Sequence, residues 1–381
     1  MSADQLLYLI IGIVLLDYAI DQVLDYINQK HSSADIPEKL KGIYKEDEYA
    51  KSQAYQKRLG RFGFLSSAFS IVTTLLLLTL GGFGYLDALL DPYINDPILK
   101  SLAFFGILFI VSDIINTPFS YYATFVIEEE FGFNKMTRKL FVVDKLKGYA
   151  LAIIIGGLLG YALLWIVNEL GANFWIYAFA LVAGFMLIMN LFYTSLFLPL
   201  FNKLVPLADG DLKDRINAYA EKVTFPLDNI FVIDGSKRSS KANAFFSGLG
   251  KKKKIVLYDT LIADHTEDEV VAVLAHEVGH FKKKHIITGM LLGIVQMAFT
   301  FFILSLLIFN EQLSLSLGGE ELAIHLNLIA FGLLYTPISR LTGLMMNMLS
   351  RKNEYEADAY AATTFSAKSL MGALKRLSVS S

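Results

Sequence analysis

No cysteine occurs among the 381 residues. That excludes disulfides, thiolate metal sites and a cysteine nucleophile together, so any bound metal must rest on His, Asp or Glu. Charge is scarce as well: 18% of residues are Asp, Glu, Lys or Arg, against 54% hydrophobic, and mean hydropathy is +0.48. Soluble domains carry about 25% charged residues, so the chain reads as a membrane protein with the lipid bilayer as its solvent. A net charge of −2 gives no reason to expect nucleic acid as a partner. The start lacks an early basic region and a cleavage site, so its apolar run reads as a retained helix and not as a signal peptide.

What the sequence has in quantity is long apolar runs. Seven are suited to cross a bilayer, which takes about 20 helical residues. They lie at 6–24, 64–80, 98–115 or beyond, 149–167, 174–196, 286–309 and 322–349. Asp17 and Asp21 lower the hydropathy of the first. Lys and Arg are distributed with a strong bias. Four segments, 28–61, 128–148, 200–284 and 350–381, hold 32 of the 34, whereas 81–97, 168–173 and 310–321 hold none. Under the positive-inside rule the four basic segments and the C-terminus face the cytoplasm.

This alternation divides the chain into five helices with their loops (1–199), a soluble insertion (200–284), two further helices (285–349) and a cytoplasmic C-terminal helix (350–381). The expected fold is predominantly α, a seven-transmembrane-helix protein with a small α+β domain at its cytoplasmic face. Within the insertion, DLKDRINAYAEKV has helical spacing and IFVID and KIVLYD have strand character. SGLGKKK supplies a turn between ANAFF and the second strand, so a helix, a short hairpin and then a further helix are expected. The KKKK run at 251–254 reads as a solvated or headgroup-facing turn and not as a nucleic-acid patch.

That last helix contains the chemistry. In TEDEVVAVLAHEVGHFKKKH, Thr266 can cap a helix while Glu269 reaches back to it. His276 and His280 then stand one turn apart on one face, spaced to share a tetrahedral Zn2+, and Glu277 projects towards the open side. There it can take a proton from water attacking a carbonyl. Gly279 keeps the space beside the histidines clear. HEVGH alone arises by chance in roughly one chain in a hundred of this length, so a third ligand decides the matter. Glu311, Glu320, Glu321 and His325 fall at the outer face, out of reach. NEYEAD at 353–358 falls on the correct side, directly after the seventh helix. Glu354 and Asp358 share one helical face there, with Glu356 pointing away; Glu354 can ligate zinc, and Asp358 can accept a ring N–H from a ligating histidine.

HEVGH with a downstream EYEADAYA resembles the gluzincin pattern of membrane zinc endopeptidases. FVIEEEFGFNKMTRKLFVVDKLK at 125–147, KANAFFSGLGKKKKIVLYDTL at 241–261 and SRKNEYEADAYA at 350–361 resemble the type 1 CAAX prenyl proteases specifically. The similarity spans nearly the whole chain. It implies seven helices enclosing a large intramembrane chamber, with a one-zinc catalytic domain at the cytoplasmic mouth. Carried onto this sequence, it implies His276, His280 and Glu354 as ligands, Glu277 as catalytic base, Asp358 in support, and Asn243 against the substrate backbone beside an edge strand. The substrate implied is a peptide or prenylated protein cleaved near its C-terminus. The family pattern also continues beyond LKRLSVSS into a His-containing segment that this sequence does not include, so a shortened or divergent member is expected.

Asp113, Asn116 and Arg340 lie within spans, where charge is costly unless it faces protein or water, and they fit a hydrated interior. Pro118 and Pro337 read as helix kinks, His285 as either an interfacial residue or a neighbour of the active site, and His265 as a surface residue. Two other functions remain compatible with the residues: quality-control proteolysis of membrane proteins, and a non-catalytic scaffold or channel. The membrane would be the plasma membrane in a prokaryote or the endoplasmic reticulum in a eukaryote.

Overall fold

The computed structural model describes residues 1–31, 36, 46–247 and 253–379. Helix α1 (Ala3–His31) and α2 (Glu46–Thr79) pack side by side, and a short helix, α3 (Gly82–Leu90), caps the far end of the pair. Asp96 then starts α4 (Pro97–Tyr122) by accepting the amides of Ile98 and Leu99 at 2.9 and 2.8 Å, with Pro97 in the first turn where no donor is needed. Beyond Pro118, α4 runs through a π-helical stretch, Ala123–Glu128, to Phe131. Helices α5 (Arg138–Leu151) and α6 (Gly157–Leu170) are joined by a second π-helical stretch, and α7 (Phe174–Phe192) follows.

Six helical stretches are long and apolar enough to cross a membrane, and one of them, Arg138–Phe201, has 64 residues. At 1.5 Å per residue that is about 96 Å of helix, against a hydrocarbon core of about 30 Å. It doubles back at Gly171, whose φ of +49° and ψ of −133° suit glycine alone. Val167 before the turn and Phe174 and Ala178 after it share one buried cluster. Split there, the six stretches supply seven crossings, as the apolar runs predict.

The insertion builds a four-stranded sheet of order β1-β2-β4-β3 from β1 (Leu204–Pro206), β2 (Leu227–Ile233), β3 (Ala244–Ser247) and β4 (Lys253–Tyr258), with helix α8 (Asp211–Lys222) between β1 and β2. The hairpin is β3 with β4; the IFVID strand instead lies parallel to β4, and β1 adds a strand that no periodicity announced. The turn expected at SGLGKKK has its centre outside the described residues. Its end corrects the expectation of a solvated turn: Lys253 is 7% exposed on β4, its ammonium 5.1 Å from the Phe281 ring centroid. Its apolar burial pulls the amine pKa down.

After α9 (Asp259–Asp264) come α10 (Glu267–Lys282), the span α11 (His285–Leu307), a short far-end helix α12 (Glu311–Ser316), and α13 (Ile324–Ala361), followed by α14 (Ala367–Val379). Helix α13 has 38 residues, about 57 Å, so it crosses the membrane and continues out of it without a break. Its emergent end carries Glu354 and Asp358. Both prolines in spans, Pro118 and Pro337, stand inside helices that continue past them. The charges within spans are paired between helices: Asp113 with Lys145 at 2.7 Å, and Arg340 with Asp17 at 2.7 Å and Asp21 at 2.9 Å.

Candidate active site

Helix α10 begins with the capping box its sequence announces. Thr266 Oγ1 accepts the Glu269 amide at 3.4 Å, and Glu269 Oε2 accepts the Thr266 amide at 2.9 Å. One face, including Val271, Leu274, Ala275 and Val278, is buried in the largest core cluster, against Ile255 and Leu257 of β4 and Leu370 and Ala373 of α14. His276 and His280 project from the other side. His265, just before the cap, is buried and not at the surface, its Nδ1 lying 3.1 Å from the Leu261 carbonyl.

Helix α13 lies across α10 at Gly279. A Cβ there would fall 3.0 Å from Ala357 Cα and 3.1 Å from its carbonyl oxygen. The space that glycine leaves therefore belongs to the backbone of α13, and this approach brings NEYEAD onto the histidines. His276 Nε2 lies 3.1 Å from His280 Nε2 and 3.3 Å from Glu354 Oε2, and His280 Nε2 lies 3.6 Å from Glu354 Oε1. Donor atoms of these three residues lie within 4.8 Å of one another. Ligands held 2.0 to 2.2 Å from a tetrahedral ion stand about 3.3 to 3.6 Å apart, so this triangle fits zinc. On the remote side of the first ring, His276 Nδ1 lies 2.8 Å from Asp358 Oδ1, which fixes a proton on Nδ1 and leaves the Nε2 lone pair towards the triangle.

Glu277 is half-buried beside this group. Its pKa is pushed up to about 7, chiefly by burial, with His276 opposing the rise and the charge of Glu354 adding to it. His280 is pulled the other way, below the ordinary histidine value, first by burial and then by His276. It is thereby kept in the neutral form that can ligate a metal. A cleft of about 300 Å3 opens on His280 and Glu354 between α11 and α13, with Gly289, Met346 and Asn353 in its wall.

Asn243 stands apart from these residues: among the described residues no hydrogen bond joins it to the histidine group. It is exposed at the start of β3, the outer strand of the sheet, its backbone carbonyl accepting the Tyr258 amide at 3.0 Å and its side-chain Oδ1 accepting the Ala244 amide at 2.8 Å. The loop leading to it is tied to the membrane part. Ser240 N–H donates to the Phe133 carbonyl at 3.1 Å, Arg238 grips Asp144 at 2.9 and 3.0 Å, and Lys241 lies over the rings of Tyr55 and Phe133. The 125–147 stretch thus serves as the platform under the ANAFF strand.

One residue left undecided by the sequence joins the group. His285, the first residue of α11, is 8% exposed, with Nδ1 3.2 Å from His280 Nδ1 and Nε2 3.2 Å from Glu356 Oε2.

The chain is similar to known proteins along most of its length. Residues 25–203 match the family model for the CAAX prenyl protease N-terminal part, five membrane helices, and 206–378 match peptidase family M48. The CAAX prenyl protease 1 homolog of Dictyostelium discoideum is 38% identical over 335 residues, which cover 86% of this chain and 78% of that protein. CAAX prenyl protease 1 of Saccharomyces cerevisiae is 34% identical, with 93% and 84% covered. The crystal structure of S. mikatae Ste24p superposes with a TM-score of 0.93 at 32% identity, covering 98% of this chain and 92% of that one. The chain belongs to peptidase family M48, together with the membrane part of the CAAX prenyl proteases, and is a membrane metalloprotease, a class that requires a bound metal.

Proposed function

We propose that the chain is a zinc endopeptidase that hydrolyses peptide bonds near the C-terminus of prenylated CAAX proteins, the substrate class for which its relatives are named. The observation that carries the reading is the triangle of His276, His280 and Glu354, with Glu277 beside it. One zinc ion per chain would be held by those three side chains. When bound, the ion supplies a Lewis acid for the scissile carbonyl and makes water acidic enough to attack near neutral pH.

The chain's own residues do the rest. Glu277 accepts a proton as water attacks and returns it to the leaving amine, a role suited to a carboxylate whose burial raises its pKa towards neutrality. Asp358 holds the proton on Nδ1 of His276 and so keeps that ring's other nitrogen turned inward. The outward edge of β3 can hold an extended peptide by main-chain hydrogen bonds, and Asn243, whose oxygen accepts the Ala244 amide, keeps its amide N–H2 as a donor for the substrate backbone there. Beside that strand, Phe245, Phe246, Phe281, Met186, Met189 and Tyr193 line a cavity of about 400 Å3, an apolar surface suited to a lipid-modified peptide.

The catalytic unit combines the 200–284 insertion with the end of α13 and with α14, and the bias of Lys and Arg assigns it to the cytoplasm. The spans pack loosely, with 6–11% of the residues in each apolar window buried, which leaves room between them for the hydrated chamber that the resemblance implies.

Metal content and cleavage of a prenylated CAAX peptide test the reading together. Purified protein should hold about one zinc, as one open catalytic site requires. Glu277→Gln should retain the metal while turnover falls by at least about a hundredfold. Equal cleavage by Glu277→Gln would overturn the mechanism, and zinc binding without cleavage by the native chain would favour a scaffold.

A further inference from the structure

We propose that His285 is a positioning residue for His280, and that Glu356 in turn fixes His285. The inference rests on the metal-site reading above and extends it to two residues outside the HEVGH motif. His280 faces His276 and Glu354 through Nε2. When that nitrogen ligates a metal, the ring proton resides on Nδ1 and needs an acceptor. Among the described residues only His285 Nδ1 is within hydrogen-bond distance of it, at 3.2 Å. His285 must therefore accept there, which places its own proton on Nε2. That atom lies 3.2 Å from Oε2 of Glu356, a carboxylate that can only accept. A single assignment of protons satisfies every ring nitrogen from the metal site to the carboxylate.

Backbone geometry and helix phase both serve this contact. His280 and His285 are five residues apart and belong to different helices, so no helical repeat pairs them. The chain turns between them at Lys284, whose φ of +62° lies in the left-handed region that side chains rarely adopt. The strained residue folds the first side chain of α11 back against the last turn of α10, and the two rings meet edge to face with centroids 5.2 Å apart. On α13, Glu356 stands two positions from both Glu354 and Asp358, about 200° around the helix. It is turned away from His276 and towards His285, with Lys352 3.8 Å from its other oxygen. Helix α13 therefore supplies one ligand and a supporting carboxylate for each histidine: Asp358 directly to His276, and Glu356 through His285 to His280.

A role in packing α10 against α11 predicts different behaviour from a role as acceptor. His285→Phe keeps the ring and removes the acceptor; His285→Asn is smaller but places an oxygen near the position of Nδ1. Zinc affinity of the detergent-solubilised full chain, measured by competition with a chelator, should fall by roughly ten- to a hundredfold in His285→Phe and stay within about threefold of native in His285→Asn. Glu356→Leu should weaken zinc in the native background and add nothing to His285→Phe, since residues acting through one another are not additive. The Co2+-loaded proteins should show the same order in their visible ligand-field bands, a readout of ligand geometry that needs no substrate. Native zinc affinity in His285→Phe, or an Asn variant no better than Phe, overturns the inference, as does a Glu356→Leu loss that persists on top of His285→Phe. His276→Ala separates the two layers of the argument: metal retained in that variant overturns the metal site itself, whereas metal lost there and native in His285→Phe overturns only the role of His285.

Discussion

Glu277 is held where ionisation is unfavourable, and that has a consequence for metal-free protein. Its folded pKa of about 7 exceeds the ordinary value of 4.5. The fold therefore favours the protonated acid, and ionisation weakens the fold. The sign is opposite to that of a salt-bridged carboxylate: the penalty is absent well below pH 4.5, grows as pH rises, and is complete above about 7. Glu277→Gln removes it. Metal-free Glu277→Gln should unfold at a higher temperature than metal-free native protein at pH 8 and at the same temperature at pH 4; a pH-independent difference between the two would contradict the burial argument. At this scale the HEVGH motif, Glu354 and Asp358 are legible in the sequence because i, i+4 spacing is local and needs only a helix. His285 is not, because its partner lies across a helix break whose sharpness depends on the φ of Lys284. Glu356 does point away from the metal site, as its phase predicts, but the histidine waiting on that side comes from another helix. Lys253 misleads for a similar reason: four lysines in a row look solvated, and strand alternation turns one of them inward.

Between elements, the decisive contact is the crossing of α10 and α13 at Gly279. Glu354 is about 75 residues away in sequence from the histidines, and only backbone-to-backbone approach brings it within reach. A methyl at this position meets Ala357 backbone atoms at 3.0 and 3.1 Å, and backbone of a continuous helix yields less readily than a side chain. Gly279→Ala should therefore separate Glu354 from the histidines by a few tenths of an ångström. Helix propensity favours alanine by about 1 kcal/mol, so α10 by itself gains. The expected outcome is weaker zinc binding, by roughly tenfold, as for loss of a supporting partner, in a protein whose helical content by circular dichroism is undiminished. Unchanged zinc affinity would mean that the crossing has slack. The seven spans were legible, because apolar runs of bilayer length leave one solution, whereas the short far-end helices α3 and α12 and the helical start of α5 fell in stretches that read as connections. The sheet was less so. IFVID and KIVLYD carry the strand signal, but their parallel pairing, and the addition of β1, depend on α8 and on long-range contacts that no local pattern records.

Taken whole, the molecule is built as two ends joined by spans that bury little against one another. At the site end, the 125–147 platform and the catalytic unit interlock through Asn134, Arg238 and Lys241. The far end is tied by a buried polar cluster: His325 Nε2 lies 2.8 Å from Asp87, Lys100 pairs with Asp87 at 2.6 Å, and Ser101 Oγ lies 3.0 Å from His325 Nδ1. There Gly84 meets Gly318 so closely that a Cβ on it would lie 1.9 Å from the Gly318 oxygen. Between these ends, Asp113–Lys145 and Arg340–Asp17 are neutralised in pairs between helices where water or lipid would otherwise have to solvate them singly. This architecture requires an odd number of crossings between the basic and the charge-poor connections, and at Gly171 the count depends on the backbone of a single residue. The absence of cysteine makes the count measurable, since every introduced thiol is unique. Asp228, exposed in the catalytic unit, and Glu320, exposed between α12 and α13, lie on opposite sides of the two last spans' common boundary. In sealed vesicles of known orientation, a membrane-impermeant maleimide should label Asp228→Cys only from the cytoplasmic side and Glu320→Cys only from the other. Labelling of both from one side would leave α11 unable to cross. It would also remove the reason for α13 to return through the membrane and deliver Glu354 to His276 and His280.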